Sequence, residues 1–248
     1  RVKNYDGFNL PVARPKQGLD LNRNFPEEWR PEGEQLGAGD FPTSEPEVRA
    51  CVEFINAHRN ICGGVFFHTW SGVLLRPFGT KADDEMPPED LWVFQTQGKK
   101  GEELTGYPAI SVFHEFKYHP KEVITGTQDW LYTVLGSYAW VVEIWCPMRE
   151  AGIKDYKYID WFRDHSVEDD LKLLKWTDET HQGKGYVDWY AYDHPDLGKV
   201  ELGGWNRFAT FSNPPPHLME KEVNKFPEWI IFQALMSPKL EHHSTKVT

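Results

Sequence analysis

Positive charge is scarce in this sequence. Its 248 residues include 27 lysine and arginine residues against 38 aspartate and glutamate residues, which gives a formal net charge of −11. Binding to the phosphate backbone of nucleic acids depends on clustered lysine and arginine side chains. The composition therefore argues against a nucleic acid as partner.

Long apolar runs and cysteines are also scarce. No apolar run approaches the roughly 20 residues that cross a bilayer, so we expect no membrane-spanning segment. The three cysteines, Cys51, Cys62 and Cys146, cannot all pair within the chain and form no CxxC motif. An odd count favours a reducing compartment, and hence the cytoplasm. No signal peptide is visible, but the chain begins at Arg1 rather than Met, so its start does not define localisation.

The sequence does contain enough apolar residues for one folded domain. Hydrophobic residues make up 40% of the chain and aromatic residues 15%. A chain of this length can enclose one sizeable core. We therefore expect a single domain over residues 1–248. Residues 1–42 form a loop-rich segment of this domain, 43–150 a core that carries the site, and 151–248 C-terminal helices and loops.

Helices and strands alternate along the chain. A capping box at Ser44-Glu45-Pro46-Glu47 predicts the start of a helix. The runs 65–67 and 139–144 predict strands buried on both faces. Further helices are expected at 88–104, 129–135, within 155–176 and within 216–240, with a short strand at 109–113 and mostly loop over 183–215. This alternation predicts an α/β fold, a mixed and largely parallel sheet covered by helices on both faces.

An asparagine and an arginine stand side by side at Asn22 and Arg23. A guanidinium group presents a planar fork that matches a carboxylate, and the neighbouring amide can add a further donor. The pair is therefore a candidate clamp for a substrate carboxylate. The alternative interpretation is a loop arginine in a surface salt bridge.

His68 and Glu143 fall near the ends of the two predicted strands. In open α/β sheets, sites collect at the carboxyl ends of strands. A carboxylate within an apolar run must be paired, bound to a metal or raised in pKa, and such surroundings suit a general base. The alternatives are a hydrogen-bonded core histidine and a strand-end glutamate satisfied by a nearby arginine.

Three motifs, taken together and in this order, resemble the M14 zinc carboxypeptidases, the carboxypeptidase A-like family. The resemblance spans roughly residues 18–150, and the segment 118–126 is similar to bacterial members. The motifs are Gly18-Leu19-Asp20-Leu21-Asn22-Arg23-Asn24-Phe25, then His68-Thr69-Trp70-Ser71 followed by Leu74-Leu75-Arg76-Pro77-Phe78-Gly79, and finally Asp129-Trp130 followed 14 residues later by Glu143.

The resemblance implies a zinc peptidase that removes the last residue of peptides with a free C-terminus. It implies that His68 is a zinc ligand and Glu143 the general base. Asn22 and Arg23 would then bind the terminal carboxylate of the substrate.

Two further roles follow from the same resemblance. Tyr118 would be a mobile tyrosine that covers the substrate, although its spacing to Asp129 differs by a few residues from the family pattern. Gln128 would lie near the pocket for the last side chain, where a neutral amide gives no clear charge preference.

The sequence departs from the family pattern at the metal site. The zinc of carboxypeptidase A has two histidine ligands and one glutamate ligand. The family's first histidine and glutamate come as His-x-x-Glu before the Asn-Arg motif, whereas the 17 residues before Gly18 include no histidine. Other His-x-x-Glu strings begin at His119, His165 and His217, all downstream of His68. We therefore expect the chain to be the C-terminal part of a catalytic domain, with the other zinc ligands and the first strands of the sheet upstream of Arg1.

The resemblance also implies cis peptide bonds near the site. Family members carry them at the positions that correspond to Thr69–Trp70, Pro77–Phe78 and Trp145–Cys146.

Other functions remain open at this stage. The chain is alternatively a catalytically silent fragment that lacks two zinc ligands, or an M14-like amidase or deglutamylase acting on cell-wall peptides or side-chain glutamates. Eleven tryptophans and ten tyrosines also suggest a carbohydrate-binding protein, although aromatic residues most often fill cores. The oligomeric state is not defined by the sequence.

Overall fold

A four-stranded mixed sheet lies at the centre of the computed structural model, which describes residues 19–116, 124–159, 161 and 164–237. Its strands are β1 (Gly63–Thr69), β2 (Val73–Arg76), β3 (Ala109–Ser111) and β4 (Tyr138–Ile144), in the order β1-β4-β2-β3. β1 is parallel to β4, β4 is antiparallel to β2, and β2 is parallel to β3. Most pairings are therefore parallel, as the sequence predicted.

Helices cover both faces of this sheet. The α-helices of the described residues are α1 (Pro46–Ala57), α2 (Pro88–Thr105), α3 (Val112–Glu115), α4 (Thr127–Leu135), α5 (Pro147–Glu150), α6 (Val167–His181), α7 (Pro216–Val223) and α8 (Pro227–Met236). Side chains of a strand alternate between the two faces. Trp140 and Val142 of β4 accordingly pack in one cluster with Trp229 of α8. Ala139 packs in another with Trp130 of α4. The predicted α/β fold is confirmed.

The ends of α2 and α4 follow from their flanking residues. Pro88 is the first residue of α2, a position where the missing backbone N–H costs nothing. Gly106 and Gly136, with φ of 71° and 66°, end α2 and α4 in the left-handed conformation that glycine adopts without strain.

The capping box predicted for α1 is wrong, since the helix begins at Pro46, one residue later than a cap by Ser44 would place it. Glu45 is the N-cap residue and no side chain caps the helix. The Ser44 hydroxyl instead donates to the Glu45 carboxylate and accepts from the Asn24 amide. Ser44 is therefore engaged by the loop that contains Asn24.

The expectation that the strand at 65–67 is buried on both faces is also wrong. Among the described residues β1 lies at an edge of the sheet and pairs with β4 alone. The side chain of Phe67 is 49% exposed. β4 is central and buried, as predicted.

The region 183–215, expected to be mostly loop, contains a hairpin of β5 (Tyr186–His194) and β6 (Gly198–Trp205). Most residues of both strands are exposed, so the hydrophobic alternation that marks a half-buried strand is missing. A π-helical turn follows at Phe208–Ser212. The helix expected within 155–176 lies further along the chain, as α6.

Two of the three expected cis peptide bonds are present, at Thr69–Trp70 and Pro77–Phe78. The expectation for Trp145–Cys146 is wrong, since that bond is not cis. The backbone there turns at Trp145 itself, which has a φ of 75°.

No helix in the described residues is both long and apolar enough to cross a membrane. The single domain over 1–248 stays a prediction, because residues 1–18 and 238–248 lie outside the described ranges.

A buried carboxylate fastens two loops to the start of α4. Asp129 accepts hydrogen bonds from the Gly79 N–H at 2.8 Å, the Gly126 N–H at 3.2 Å and the Gln128 side chain at 3.0 Å. The loops approach so closely that a Cβ atom at Gly79 would lie 1.6 Å from the Ile124 carbonyl oxygen. This junction fixes the segment 124–129 against the end of β2.

We expect Gly79→Ala to destabilise the protein strongly. The added methyl group meets backbone rather than a flexible side chain, so the cost should reach about 3 kcal/mol or more in free energy of unfolding. Urea unfolding would measure it. Gly33→Ala is the matched control, because a Cβ atom there meets nothing within 4 Å. Equal stability of the two variants would contradict the close approach of the loops.

The pH dependence of stability should report on Asp129. Burial raises the pKa of this carboxyl group to about 7, although the Gly79 and Gly126 N–H groups act in the opposite direction. The unfolded state therefore ionises first, from about pH 4. The contribution of Asp129 to the free energy of unfolding is therefore fully present below about pH 4. Between about pH 4 and 7 this contribution falls by about 1.4 kcal/mol for each pH unit.

The measurement is the free energy of unfolding of the wild type relative to Asp129→Asn, by urea unfolding between pH 4 and 8. We expect this difference to fall with rising pH and to level off above about 7. A difference that rises with pH would mean that the N–H donors outweigh burial.

Candidate active site

His68 and Glu143 lie side by side near the carboxyl ends of two neighbouring strands. They are register partners in the parallel pair β1–β4. His68 is half-buried and Glu143 is buried, with 9% of its surface exposed. The Glu143 carbonyl accepts a hydrogen bond from the Gly72 N–H at 2.7 Å, which holds the strand end to the turn after β1. The structure therefore brings the predicted histidine and the predicted glutamate together.

Burial and two nearby charges set the protonation of this pair. Burial raises the pKa of Glu143 to about 8, while Arg23 lowers it and Asp20 raises it further. Burial also lowers the pKa of His68, which Asp20 partly opposes and Arg23 reinforces. Both titratable groups therefore favour their neutral forms near pH 7. Arg23 and Asp20 lie close enough to act on both of them.

Asn22 and Arg23 lie on a single 3₁₀ turn, Leu21–Arg23. The Asp20 carboxylate caps this turn by accepting from the Asn22 N–H at 3.0 Å. It also lies 3.6 Å from Nε of Arg23. The short turn directs the amide and the guanidinium towards the same loop.

That loop and Thr127, the first residue of α4, hold both side chains. Arg23 Nη1 donates to the Thr125 carbonyl at 3.0 Å. The Asn22 side-chain oxygen accepts from the backbone N–H and the hydroxyl of Thr127, at 2.8 and 2.7 Å. Because its oxygen is occupied, Asn22 can offer a ligand only the N–H groups of its amide. The guanidinium carries five N–H donors, and its contacts in the described part of the chain leave some of them for an anion.

Asn24, the second asparagine of the motif, is a structural residue that the sequence analysis did not assign. It is fully buried, and its amide nitrogen donates to the carbonyls of Ala38 and Phe41 and to the Ser44 hydroxyl. Its oxygen accepts from the Glu45 N–H at 3.1 Å. The sequence feature that could have indicated this role is the position of Asn24 in a loop motif, because an asparagine side chain can form hydrogen bonds with several backbone groups of a loop.

Gln128 is buried next to this turn, with its amide nitrogen on Asp129. Its side-chain oxygen has no partner among the described residues. It lies 2.7 Å from where a Cβ atom of Gly126 would be, as does the Asn22 amide nitrogen. The side chains of Gln128 and Asn22 therefore both lie next to Gly126. Tyr118 lies outside the described residues.

The described residues do not form a metal site on their own. No three His, Cys, Asp or Glu side chains within the described ranges come close enough together to hold a metal ion. A catalytic zinc takes three protein ligands. His68 supplies one suitable ligand, and neither described His-x-x-Glu pair, at His165 or His217, forms such a group. The site as described therefore does not fit a catalytic zinc ion.

Comparison with known proteins agrees with the motifs. The profile of the M14 peptidase family, described as zinc carboxypeptidase, matches residues 3–162. Carboxypeptidase A1 of Sus scrofa is 29% identical over 140 residues, which cover 51% of this chain. Human carboxypeptidase A6 is 38% identical over 72 residues, or 26% of this chain.

Among solved structures, that of bovine thrombin-activatable fibrinolysis inhibitor in complex with tick carboxypeptidase inhibitor aligns with a TM-score of 0.42. The alignment has 20% sequence identity and covers 70% of this chain and 59% of that chain.

The matches cover a minor part of the curated relatives. The matched regions make up 32% of the length of carboxypeptidase A1 and 16% of that of carboxypeptidase A6. The family match, in contrast, extends over well more than half of this chain and includes Asn22, Arg23, His68 and Glu143. The chain belongs to the M14 zinc carboxypeptidase family.

Proposed function

We propose that this protein is a metallocarboxypeptidase that hydrolyses the C-terminal peptide bond of peptides. The observation that carries the proposal is the placement of an arginine–asparagine turn next to a buried glutamate on a central strand. Arg23 lies close enough to lower the pKa of Glu143. A group that binds anions and a group that accepts protons therefore share one site, as the removal of a terminal residue requires.

Asn22 and Arg23 hold the terminal carboxylate of the substrate. Hydrogen bonds to Thr125 and Thr127 fix both side chains before a ligand arrives. Hydrogen bonds between charged partners are the stronger ones, and a guanidinium can make two parallel bonds to one carboxylate. Fixing the chain end in this way orients the last peptide bond, which is an entropic contribution to catalysis.

Glu143 is the general base. Burial raises its pKa to about 8, into the range where a general base exchanges protons efficiently. The ionised carboxylate is the form that acts, and the positive charge of Arg23 favours that form. Glu143 takes a proton from the attacking water and returns it to the leaving amine. Gln128 lines the pocket for the last side chain and Tyr118 covers the bound peptide.

The proposal includes a zinc ion because the family to which the chain belongs is that of the zinc carboxypeptidases. His68 is one ligand in this account, and the remaining ligands come from outside the described residues.

One alternative has a specific observation in its favour. A catalytically silent protein that keeps only the carboxylate clamp agrees with the lack of a three-ligand group in the described residues. An amidase or deglutamylase of the same family is a further alternative, and the Asn-Arg pair favours a carboxypeptidase over it.

Glu143→Gln should abolish turnover while sparing peptide binding. The amide is nearly isosteric but cannot take up the proton, and loss of a general base typically costs 10²- to 10⁴-fold in rate. The measurement is hydrolysis of an N-terminally blocked peptide, with peptide affinity determined separately by calorimetry. Glu103→Gln on the exposed surface is the control. Turnover retained by the Glu143 variant would exclude the assigned base, whereas an inactive wild type that still binds peptide would favour the silent alternative.

Arg23→Ala should weaken the binding of peptides with a free C-terminus by about 10- to 100-fold, which corresponds to the loss of one charge-assisted hydrogen-bonded pair. Peptides with an amidated C-terminus should bind wild type and variant alike. Affinities of both peptides for the wild type, for Arg23→Ala and for the half-exposed surface control Arg30→Ala would measure this effect. An equal loss for both peptides would argue against a carboxylate clamp.

A further inference from the structure

Trp145, two residues after the proposed base, occupies a strained backbone conformation. Its φ is 75°, a region that non-glycine residues rarely adopt. Such a conformation persists only where the surroundings enforce it. The contacts of Trp145 therefore decide how the end of β4, and with it Glu143, is held.

Three hydrogen bonds fix Trp145. Its carbonyl accepts from the Ser71 N–H at 3.0 Å, and its indole N–H donates to the Thr210 carbonyl at 2.8 Å. Its backbone N–H donates to the hydroxyl of Tyr107 at 2.8 Å. The last bond is the unusual one, because a side chain from the loop after α2 takes the backbone donor at the end of the central strand.

Tyr107 is held in turn by the C-terminal helices. Its ring is buried, and its hydroxyl donates to the carboxylate of Glu222, which is also buried, with 2% of its surface exposed. Lys225 Nζ lies 2.6 Å from the other carboxylate oxygen and 5.0 Å from the centre of the Tyr107 ring. The ammonium group and the tyrosine hydroxyl offset the cost of burying this carboxylate. The two links form a relay from Glu222 through Tyr107 to the backbone of Trp145.

We infer that Tyr107, held by Glu222 and Lys225, is a positioning residue for Glu143. The inference rests on the proposed function only for the role of Glu143; the relay itself is a matter of the fold. The Tyr107 hydroxyl holds the Trp145 N–H and so fixes the peptide unit between residues 144 and 145. Because Glu143 directly precedes this unit, its backbone is fixed as well, and with it the direction of its side chain. Helix α7 thereby influences the site through Glu222.

Tyr107→Phe tests the inference, because it removes one oxygen and keeps the ring. In the active enzyme we expect kcat to fall about 10- to 100-fold with KM unchanged, the effect of a misplaced catalytic group. A merely structural role would lower the folded fraction without changing kcat per folded molecule. Tyr190→Phe on the exposed hairpin is the matched control.

Hydrogen exchange provides the readout that does not depend on activity. In Tyr107→Phe, exchange should quicken at the Trp145 amide, which loses its acceptor, and at the Gly72 amide, which is bonded to the Glu143 carbonyl. Faster exchange at both amides supports the relay even if the protein cleaves no peptide. Failure of the relay can therefore be distinguished from failure of the proposed function. Unchanged exchange at Gly72 overturns the relay, and an unchanged kcat overturns the positioning role.

Lys225→Met is a second variant in case Tyr107→Phe folds poorly. It keeps the tyrosine hydroxyl and removes the charge that holds Glu222. We expect a smaller fall in kcat, again with KM unchanged. A rise in KM alone in either variant would place these residues in substrate binding and overturn the inference.

Discussion

Hydrogen bonds between the Asn22–Arg23 turn and the loop before α4 are the contacts on which the site depends. They join residues 102 and 105 positions apart in the chain, since Thr125 accepts from Arg23 and Thr127 donates to Asn22. The same loop is fixed from its other side by the buried carboxylate of Asp129. These bonds tie the turn to the segment that leads into α4, whereas Asn24 ties it to residues 38–45.

Three carboxyl groups are buried in the described part of the chain, and the surroundings of each differ. Asp129 accepts N–H groups of two loops, Glu222 is paired with Lys225, and Glu143 has a raised pKa with a guanidinium nearby. The N–H groups offset only part of the desolvation of Asp129, whose pKa burial raises to about 7, whereas a counterion lies against Glu222. Both carboxyl groups join separate segments of the chain. The third leaves the proton exchangeable, which is the property that a general base needs.

Much of the site could be predicted from local sequence. Glu143 is conspicuous because it interrupts an apolar strand, and the Asn-Arg pair because planar donors suit carboxylates. Contacts between distant segments carry no such signal. The Tyr107–Glu222 bond spans 115 positions, and nothing near Tyr107 indicates it. The hairpin β5–β6 was missed because it is exposed on both faces, and the edge position of β1 because an apolar run does not reveal how many neighbours a strand has.

A crystal structure of the Glu143→Gln protein with an uncleaved peptide that has a free C-terminus would test the account most directly. We predict that the terminal carboxylate lies within about 2.9 Å of the Arg23 guanidinium, with the Asn22 amide beside it. The last peptide bond should lie within reach of residue 143, directly or through one water. A carboxylate bound elsewhere, or a last peptide bond far from residue 143, would contradict the assignment of this site.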